Sequence, residues 1–188
     1  YYIERLGGKD KIGRALLVGG PHQGTPVIVS ELVRGLSLLP FGLMGNRLRD
    51  VIKTFPSVYQ ILPTYACTKD QNGTPIDLLA DEIWLADDQI PLLRQARQFR
   101  AELGTTSSVP TVCIYGYGLE TITEISVART SEGRWSQFDS RAQPGGDNRI
   151  PERSAILPGA EIHPVRQGHG SLYVDNDVKA RLKVELTR

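Results

Sequence analysis

Two short apolar runs, each followed closely by glycine, constrain the fold of this chain more than any other feature. Ala15 to Val18 precede Gly19 and Gly20, and Val112 to Tyr115 precede Gly116. Continuous apolar runs of this length between turn signals are typical of strands that are buried on both faces of a parallel sheet. Such strands need neighbouring strands and covering helices, yet the residues between the two runs are interpreted as helix and loop. We therefore expect this chain to contain only part of a larger sheet.

Three further patterns complete the predicted order of elements. Apolar residues at helical spacing predict a helix over residues 91–104 that covers the sheet, with proline at its start and glycine at its end. In the segment "ETITEISVARTSEGRWSQF", the alternation of Thr123, Ile125 and Val127 before a turn at Ser131 to Gly133 predicts a β-hairpin. A last short strand leads to a final helix capped by Asp175 or Asp177. This order indicates an α/β fold that corresponds to the second half of a doubly wound sheet.

Composition excludes several classes of function. The 188 residues carry 22 Lys and Arg against 21 Asp and Glu, and no block of like charge could follow a phosphate backbone, which argues against nucleic acid as a partner. The two cysteines, Cys67 and Cys113, have no ligand spacing for zinc and form no disulfide framework, which favours a reducing compartment such as the cytoplasm. No apolar run is long enough to cross a bilayer, and no targeting segment is visible at the start.

A leucine-rich stretch follows the first strand. Residues 27–44 contain many Leu, Val, Phe and Pro residues and few charges that would define a solvent face. The stretch is interpreted either as a mobile lid that faces a substrate or as a helix pair packed against the core. Composition alone favours the helix pair.

Chemistry in an open α/β sheet is expected on loops at the carboxyl ends of the parallel strands, because these ends share one crevice. The loop "QPGGDNRIPERSA" contains Asp147, and the loop "RQGHGSL" contains His169. A carboxylate that accepts the Nδ1 proton of a histidine fixes its tautomer and leaves Nε2 free to act as a general base. The residues between the two loops are interpreted as one strand, so we expect the carboxylate and the imidazole to lie on adjacent loops.

Such a pair needs a nucleophile, which in hydrolases of this type lies in a G-x-S-x-G turn that precedes both the acid and the histidine. That pattern is absent from the chain. The opening "YYIERLGG" is interpreted as the end of the helix that would follow this turn. We therefore expect the protein to begin upstream of Tyr1 and the nucleophile to lie there.

Five motifs in series carry a resemblance to a known family. They are "RALLVGGPHQGTP", "TFPSVYQILP", "CIYGYGLET", "GGDNRIPERSA" and "GHGSL". Together and in this order they resemble the lecithin:cholesterol acyltransferase-like lipases and acyltransferases of the α/β-hydrolase superfamily. The resemblance implies that residues 1–188 form the C-terminal portion of an α/β-hydrolase domain, with a helical cap or lid insertion at residues 27–105.

The same resemblance implies an activity and its residues. Asp147 corresponds to the acid of the triad, although Asn148 and Arg149 stand where the family commonly has small residues, and His169 corresponds to the histidine. The implied activity is ester hydrolysis or acyl transfer on lipid acyl esters through an acyl-enzyme. No cofactor is implied, and the expected partners are an ester substrate, the missing N-terminal half of the fold and a membrane surface that the cap contacts transiently.

Each of these residues also has a purely structural interpretation. Asp147 is in a sequence typical of a turn, and His169 between two glycines fits a surface turn. His169 with Asp175 and Asp177 lacks the spaced oxygens of a calcium loop, so no metal site is predicted. At the level of function, the alternative is a catalytically inactive α/β module that binds lipid or protein within a larger chain.

Overall fold

The structure, a computed structural model, describes residues 1–34 and 45–187. The part of the leucine-rich stretch from residue 35 to residue 44 lies outside the described residues. The chain divides into two compact units. The first consists of Tyr1–Gln23, Glu102–Ile122 and Ala142–Arg188, and the second of Gly24–Ala101 and Thr123–Arg141.

The helices and strands of the described residues are, in chain order, α1 (Tyr2–Arg5), β1 (Ala15–Val18), α2 (Pro26–Arg34), α3 (Gly45–Ile52), α4 (Pro56–Gln60), β2 (Thr68–Lys69), α5 (Ile90–Leu103), β3 (Thr111–Gly116), β4 (Leu119–Arg129), β5 (Trp135–Gly146), α6 (Glu152–Ala155), β6 (Glu161–Val165) and α7 (Asn176–Leu186). Short 3-10 helices lie at Lys9–Lys11 and His169–Val174.

The first unit contains a parallel sheet in the order β1-β3-β6. Val112 of β3 lies opposite Leu16 on one side and Glu161 on the other. All six residues of the central strand β3 are buried, whereas the four residues of β1 are half-buried. The two apolar runs that the sequence singles out are therefore neighbouring strands, and the predicted α/β class with a parallel sheet is confirmed.

Side chains of β3 alternate between two apolar clusters, as the period of a strand requires. Val112 and Ile114 pack with Leu172 and with Val178 of α7. On the other face, the buried residues of the second cluster are Cys113, Tyr115, Ile150 and Ala155. The sheet is thus covered on both faces, which explains why β3 is apolar throughout rather than alternating.

The last helix begins where one of the two predicted caps lies. The Asp175 carboxylate accepts hydrogen bonds from the backbone N–H groups of Asp177 and Val178, which have no partner within the helix. The bond from Val178, together with those from the Gln167 side-chain amide and Asp177, holds the pKa of Asp175 below its usual value. Asp175 is therefore the N-cap, a choice between Asp175 and Asp177 that the sequence pattern does not make.

The second unit has its own apolar core, and helix α5 contributes to it. Leu93 and Ala96 are its fully buried residues and belong to the same cluster as Val29, Tyr59 and Leu62. The sequence pattern predicts instead that this helix covers the parallel sheet. The expectation was wrong because an apolar stripe indicates that a helix face is buried and does not indicate against what.

The predicted hairpin is present and longer than expected. Strands β4 and β5 are neighbours in a second sheet, and their turn is closed by a bond from Thr130 N–H to the Arg134 carbonyl. The start of β4, residues 119–122, and the end of β5, residues 142–146, belong to the first unit. β2 pairs with β4 in parallel. Among the described residues, no helix is both long and apolar enough to cross a membrane.

Candidate functional site

Asp147 is held in a tight turn directly after β5. Its carboxylate Oδ1 accepts hydrogen bonds from the backbone N–H groups of Arg149, at 3.0 Å, and Ile150, at 2.7 Å. Its own N–H donates to the Ile150 carbonyl at 3.2 Å. Aspartate is suited to such a turn because its short side chain can reach the backbone that follows it. The turn buries Asp147 to 1% exposure and leaves Oδ2 for another partner.

That partner is His169, which starts the 3-10 helix after β6. The imidazole Nδ1 lies 2.9 Å from Asp147 Oδ2. The His169 backbone N–H also donates to the Asp147 carbonyl oxygen at 2.8 Å. The two residues are thus joined through both side chain and backbone, although 22 positions separate them in the sequence.

The exposures of the two side chains differ strongly. The Asp147 side chain is 1% exposed and that of His169 is 38% exposed. The buried carboxylate, which already accepts two N–H groups, can accept the Nδ1 proton, and Nε2 then carries the lone pair of the ring. The arrangement can therefore take a proton from a hydroxyl group that approaches Nε2 and return it to a leaving group.

Glycines at the carboxyl ends of β1 and β3 leave space for this pair. A Cβ atom on Gly116 would lie 2.5 Å from Asp147 Cβ and 2.2 Å from the Gln167 carbonyl oxygen. Gly19, which has φ +62°, would bring a Cβ atom to 3.3 Å from the His169 ring. The carboxyl ends of the three parallel strands thus meet at one place, as expected for an open α/β sheet.

Asn148 determines the backbone conformation of the turn at residues 147–150, which we call the acid turn. Among the described residues it is the one non-glycine residue with positive φ, at 76°. Asparagine tolerates this region better than most residues, which accounts for its presence here. Its backbone N–H donates to Thr121 Oγ1 at 3.0 Å, and its side-chain amide donates to the Glu120 carbonyl at 3.2 Å.

Sequence reasoning missed Thr121. It lies on β4, 27 positions before Asn148, and is 1% exposed. Nothing in the local pattern of β4 distinguishes this threonine from others in the chain. Only the pairing of β4 with β5 brings it beside the acid turn.

The other two histidines contact residues other than Asp147 and His169. The His22 backbone N–H donates to the Ser154 carbonyl at 2.8 Å, and its Nε2 lies 4.0 Å from Cys113 Sγ. His163 lies on β6 with Nε2 3.4 Å from the Asp177 carboxylate. In residues 1–34 and 45–187, no group of three His, Cys, Asp or Glu side chains is arranged to hold a metal ion.

Comparisons with known proteins support the fold of this chain alone. No protein-family model matches the chain, and no curated protein matches it by sequence. A solved structure described as the crystal structure of the Tle4-Tli4 complex is similar, with a TM-score of 0.59 at 12% identity. The match covers 93% of this chain and 54% of that chain, so the chain spans about half the length of this structural relative. At this identity the likeness supports the α/β fold and indicates neither a family nor an activity.

Proposed function

We propose that this chain carries the acid and the general base of a serine-type ester hydrolase or O-acyltransferase. The observation that carries the proposal is the 2.9 Å contact between buried Asp147 Oδ2 and His169 Nδ1. A surface turn would account for either residue alone. It would not account for a fully buried carboxylate that is directed at an imidazole whose other nitrogen is free to react.

In the proposed mechanism, a serine from outside this sequence attacks the ester carbonyl while its hydroxyl proton moves to His169 Nε2. Asp147 holds the ring in the Nδ1–H tautomer and stabilises the imidazolium. The carbon–oxygen bond to the alcohol then breaks, and His169 returns the proton to the departing oxygen. Water or a second alcohol then attacks the acyl-enzyme and gives its proton to His169 Nε2. The bond between the acyl group and the serine oxygen breaks, and His169 returns the proton to that oxygen.

Lipid acyl esters are the proposed substrates. The support is the series of five motifs that resemble the lecithin:cholesterol acyltransferase-like family, together with the leucine-rich composition of residues 27–44. On this proposal residues 27–105 form a cap over the acyl chain, and the cap contacts a membrane surface transiently. The cytoplasm is the proposed location, and the support is that the sequence has two cysteines without the spacing of a disulfide framework.

The experiment compares the 188-residue chain with a chain that is extended upstream by its native residues. Both are assayed with a short-chain p-nitrophenyl ester and with a long-chain one. We expect turnover from the extended chain alone, with a preference for the long acyl chain. Turnover of the short ester alone would contradict the proposal that the substrates are lipids. It would still support the proposed ester hydrolysis.

Variants of the extended chain test the roles of the residues. His169→Ala is expected to abolish turnover, whereas His163→Ala, a histidine of the same unit with no proposed role, should keep it. A His169→Ala variant as active as the parent would contradict the mechanism. An extended chain that binds lipid vesicles without turnover would favour the inactive binding module instead.

A further inference from the structure

One buried hydroxyl lies against both neighbours of Asp147. Thr121 Oγ1 accepts the Asn148 N–H at 3.0 Å, and it would lie 2.6 Å from a Cβ atom on Gly146. The hydroxyl proton goes to the Leu119 carbonyl at 2.9 Å. The hydroxyl thus links β4 to the acid turn and uses both of its hydrogen-bonding roles.

The position of this bond matters because of the conformation of Asn148. A left-handed backbone is unfavourable for a non-glycine residue and persists where surrounding contacts hold it. Asn148 directly follows Asp147, and its two bonds join the turn to Thr121 and Glu120 of β4. The Asp147 carboxylate itself accepts the N–H groups of Arg149 and Ile150. Both lie within the turn and would move with it.

We propose that Thr121 is a positioning residue that aims the Asp147 carboxylate at His169 Nδ1 by accepting the Asn148 N–H. The catalytic consequence rests on the proposed function above, while the geometric consequence does not. Removal of the hydroxyl takes away the protein acceptor of the Asn148 N–H, whose bond to it is partly buried, at a residue with positive φ. The turn then relaxes, and Oδ2 moves out of line with the imidazole.

The chain supplies a matched control. Thr111 at the start of β3 is also buried, and its hydroxyl donates to the carbonyl two residues earlier, that of Val109, at 2.9 Å. Thr111→Val therefore removes a hydroxyl of the same kind in the same unit without touching the acid turn. Thr121→Ser keeps the acceptor and serves as the rescue variant.

The test reads the tautomer of His169 by nitrogen-15 NMR of the upstream-extended chain at a pH where imidazoles are neutral. The His169 signal is assigned by its loss in His169→Gln, and His22→Gln and His163→Gln assign the other two histidines of the 188 residues. We expect the Nδ1–H tautomer to dominate in the parent, in Thr121→Ser and in Thr111→Val. Thr121→Val should shift the population towards the Nε2–H tautomer, which free imidazole favours.

A kinetic measurement accompanies the spectroscopic one. Thr121→Val is expected to lower kcat by roughly ten- to a hundredfold with KM unchanged, because a small displacement near the reacting groups has effects of this size. A Thr121→Val variant that retains both the tautomer and kcat would overturn the proposal. An extended chain without turnover, but with the expected tautomer shift, would contradict the proposed function and leave the positioning role intact.

A further measurement needs no variant that is at risk of misfolding. If Thr121 Oγ1 is the acceptor of the Asn148 N–H, this amide must exchange slowly with solvent in the parent and in Thr121→Ser. Rapid exchange of the Asn148 amide in the folded parent would overturn the proposal whether or not Thr121→Val folds.

Discussion

Gly116 and Asp147 lie so close together that a methyl group on Gly116 would fall 2.5 Å from the Asp147 Cβ atom. The same methyl group would be 2.2 Å from the Gln167 carbonyl oxygen, in the loop that leads to His169. We predict that Gly116→Ala lowers the free energy of unfolding by about 1–3 kcal/mol, the usual cost of overpacking. In the extended chain it should also lower esterase activity. Urea unfolding and steady-state kinetics measure the two effects.

Gly145→Ala is the control for this prediction. Gly145 lies two residues before Asp147, and no described atom other than those of its chain neighbours lies within 4 Å of the position that its Cβ would occupy. The substitution should leave both quantities nearly unchanged. Equal effects of the two substitutions would show that close packing at Gly116 is not what matters.

The hydrogen bonds of Asp147 predict how Asp147→Asn fails. Two N–H groups point at the Oδ1 position, so an asparagine must place its oxygen there and its NH₂ group towards His169. Nδ1 must then accept, so Nε2 carries the proton and cannot act as the proposed base. We expect kcat in the extended chain to fall by roughly 10²–10⁴-fold. The nitrogen-15 spectrum of His169 should report the Nε2–H tautomer, and a spectrum unchanged from the parent would contradict this account.

A buried carboxylate in α7 predicts a large effect on stability. The Glu185 side chain is fully buried, and it binds Arg181 at 2.6 Å and also Arg14, which directly precedes β1. Glu185→Gln leaves both guanidinium groups without their shared anion, which should lower the free energy of unfolding by about 1–3 kcal/mol. Thermal and urea unfolding measure the loss. Lys183→Gln, at an exposed position of the same helix, should change little, and a similar loss there would point to a general effect on the helix.

Glu82 predicts a pH dependence of the second unit. Hydrogen bonds from Arg94, and then from Arg97, lower the pKa of Glu82 from its usual 4.5 to about 2. A carboxylate with a lowered pKa stabilises the fold fully above the unfolded value and loses this contribution as the pH falls through the folded value. The difference in unfolding free energy between the parent and Glu82→Gln should therefore be constant above about pH 5 and shrink between about pH 4.5 and 2.

Urea unfolding across this pH range tests the prediction. Glu132→Gln, at an exposed position in the hairpin turn, is the matched control for a change from glutamate to glutamine. A difference for Glu82→Gln that is independent of pH would show that the arginine pairs do not contribute to stability through the charge of Glu82.

Several features of the fold could be predicted from the sequence because their signals are local. The apolar run at residues 15–18 forms a strand with these bounds. The helix that is predicted to end at Gly104 ends at Leu103, and Gly104 has φ +77°. The hairpin turn and the Asp175 cap also depend on residues that are neighbours in the chain. Backbone propensity, turn chemistry and capping act over a few residues, so short motifs are sufficient to specify them.

The same distinction between local and long-range features applies to the candidate site. The types and order of Asp147 and His169, and their positions on loops after strands, can be read from the sequence. Their 2.9 Å contact and the bond from the Asn148 N–H to the Thr121 hydroxyl cannot, because they join residues that are 22 and 27 positions apart.

The sequence by itself thus determined the elements of this protein and the residues available for chemistry. The tertiary structure decided which of those residues meet, that Leu93 of α5 faces the core of the second unit, and that a threonine on β4 supports the acid turn. The physical reason is that local signals fix the conformation of a segment, whereas its neighbours are chosen by how the apolar faces and hydrogen-bonding groups of the whole chain can be satisfied together.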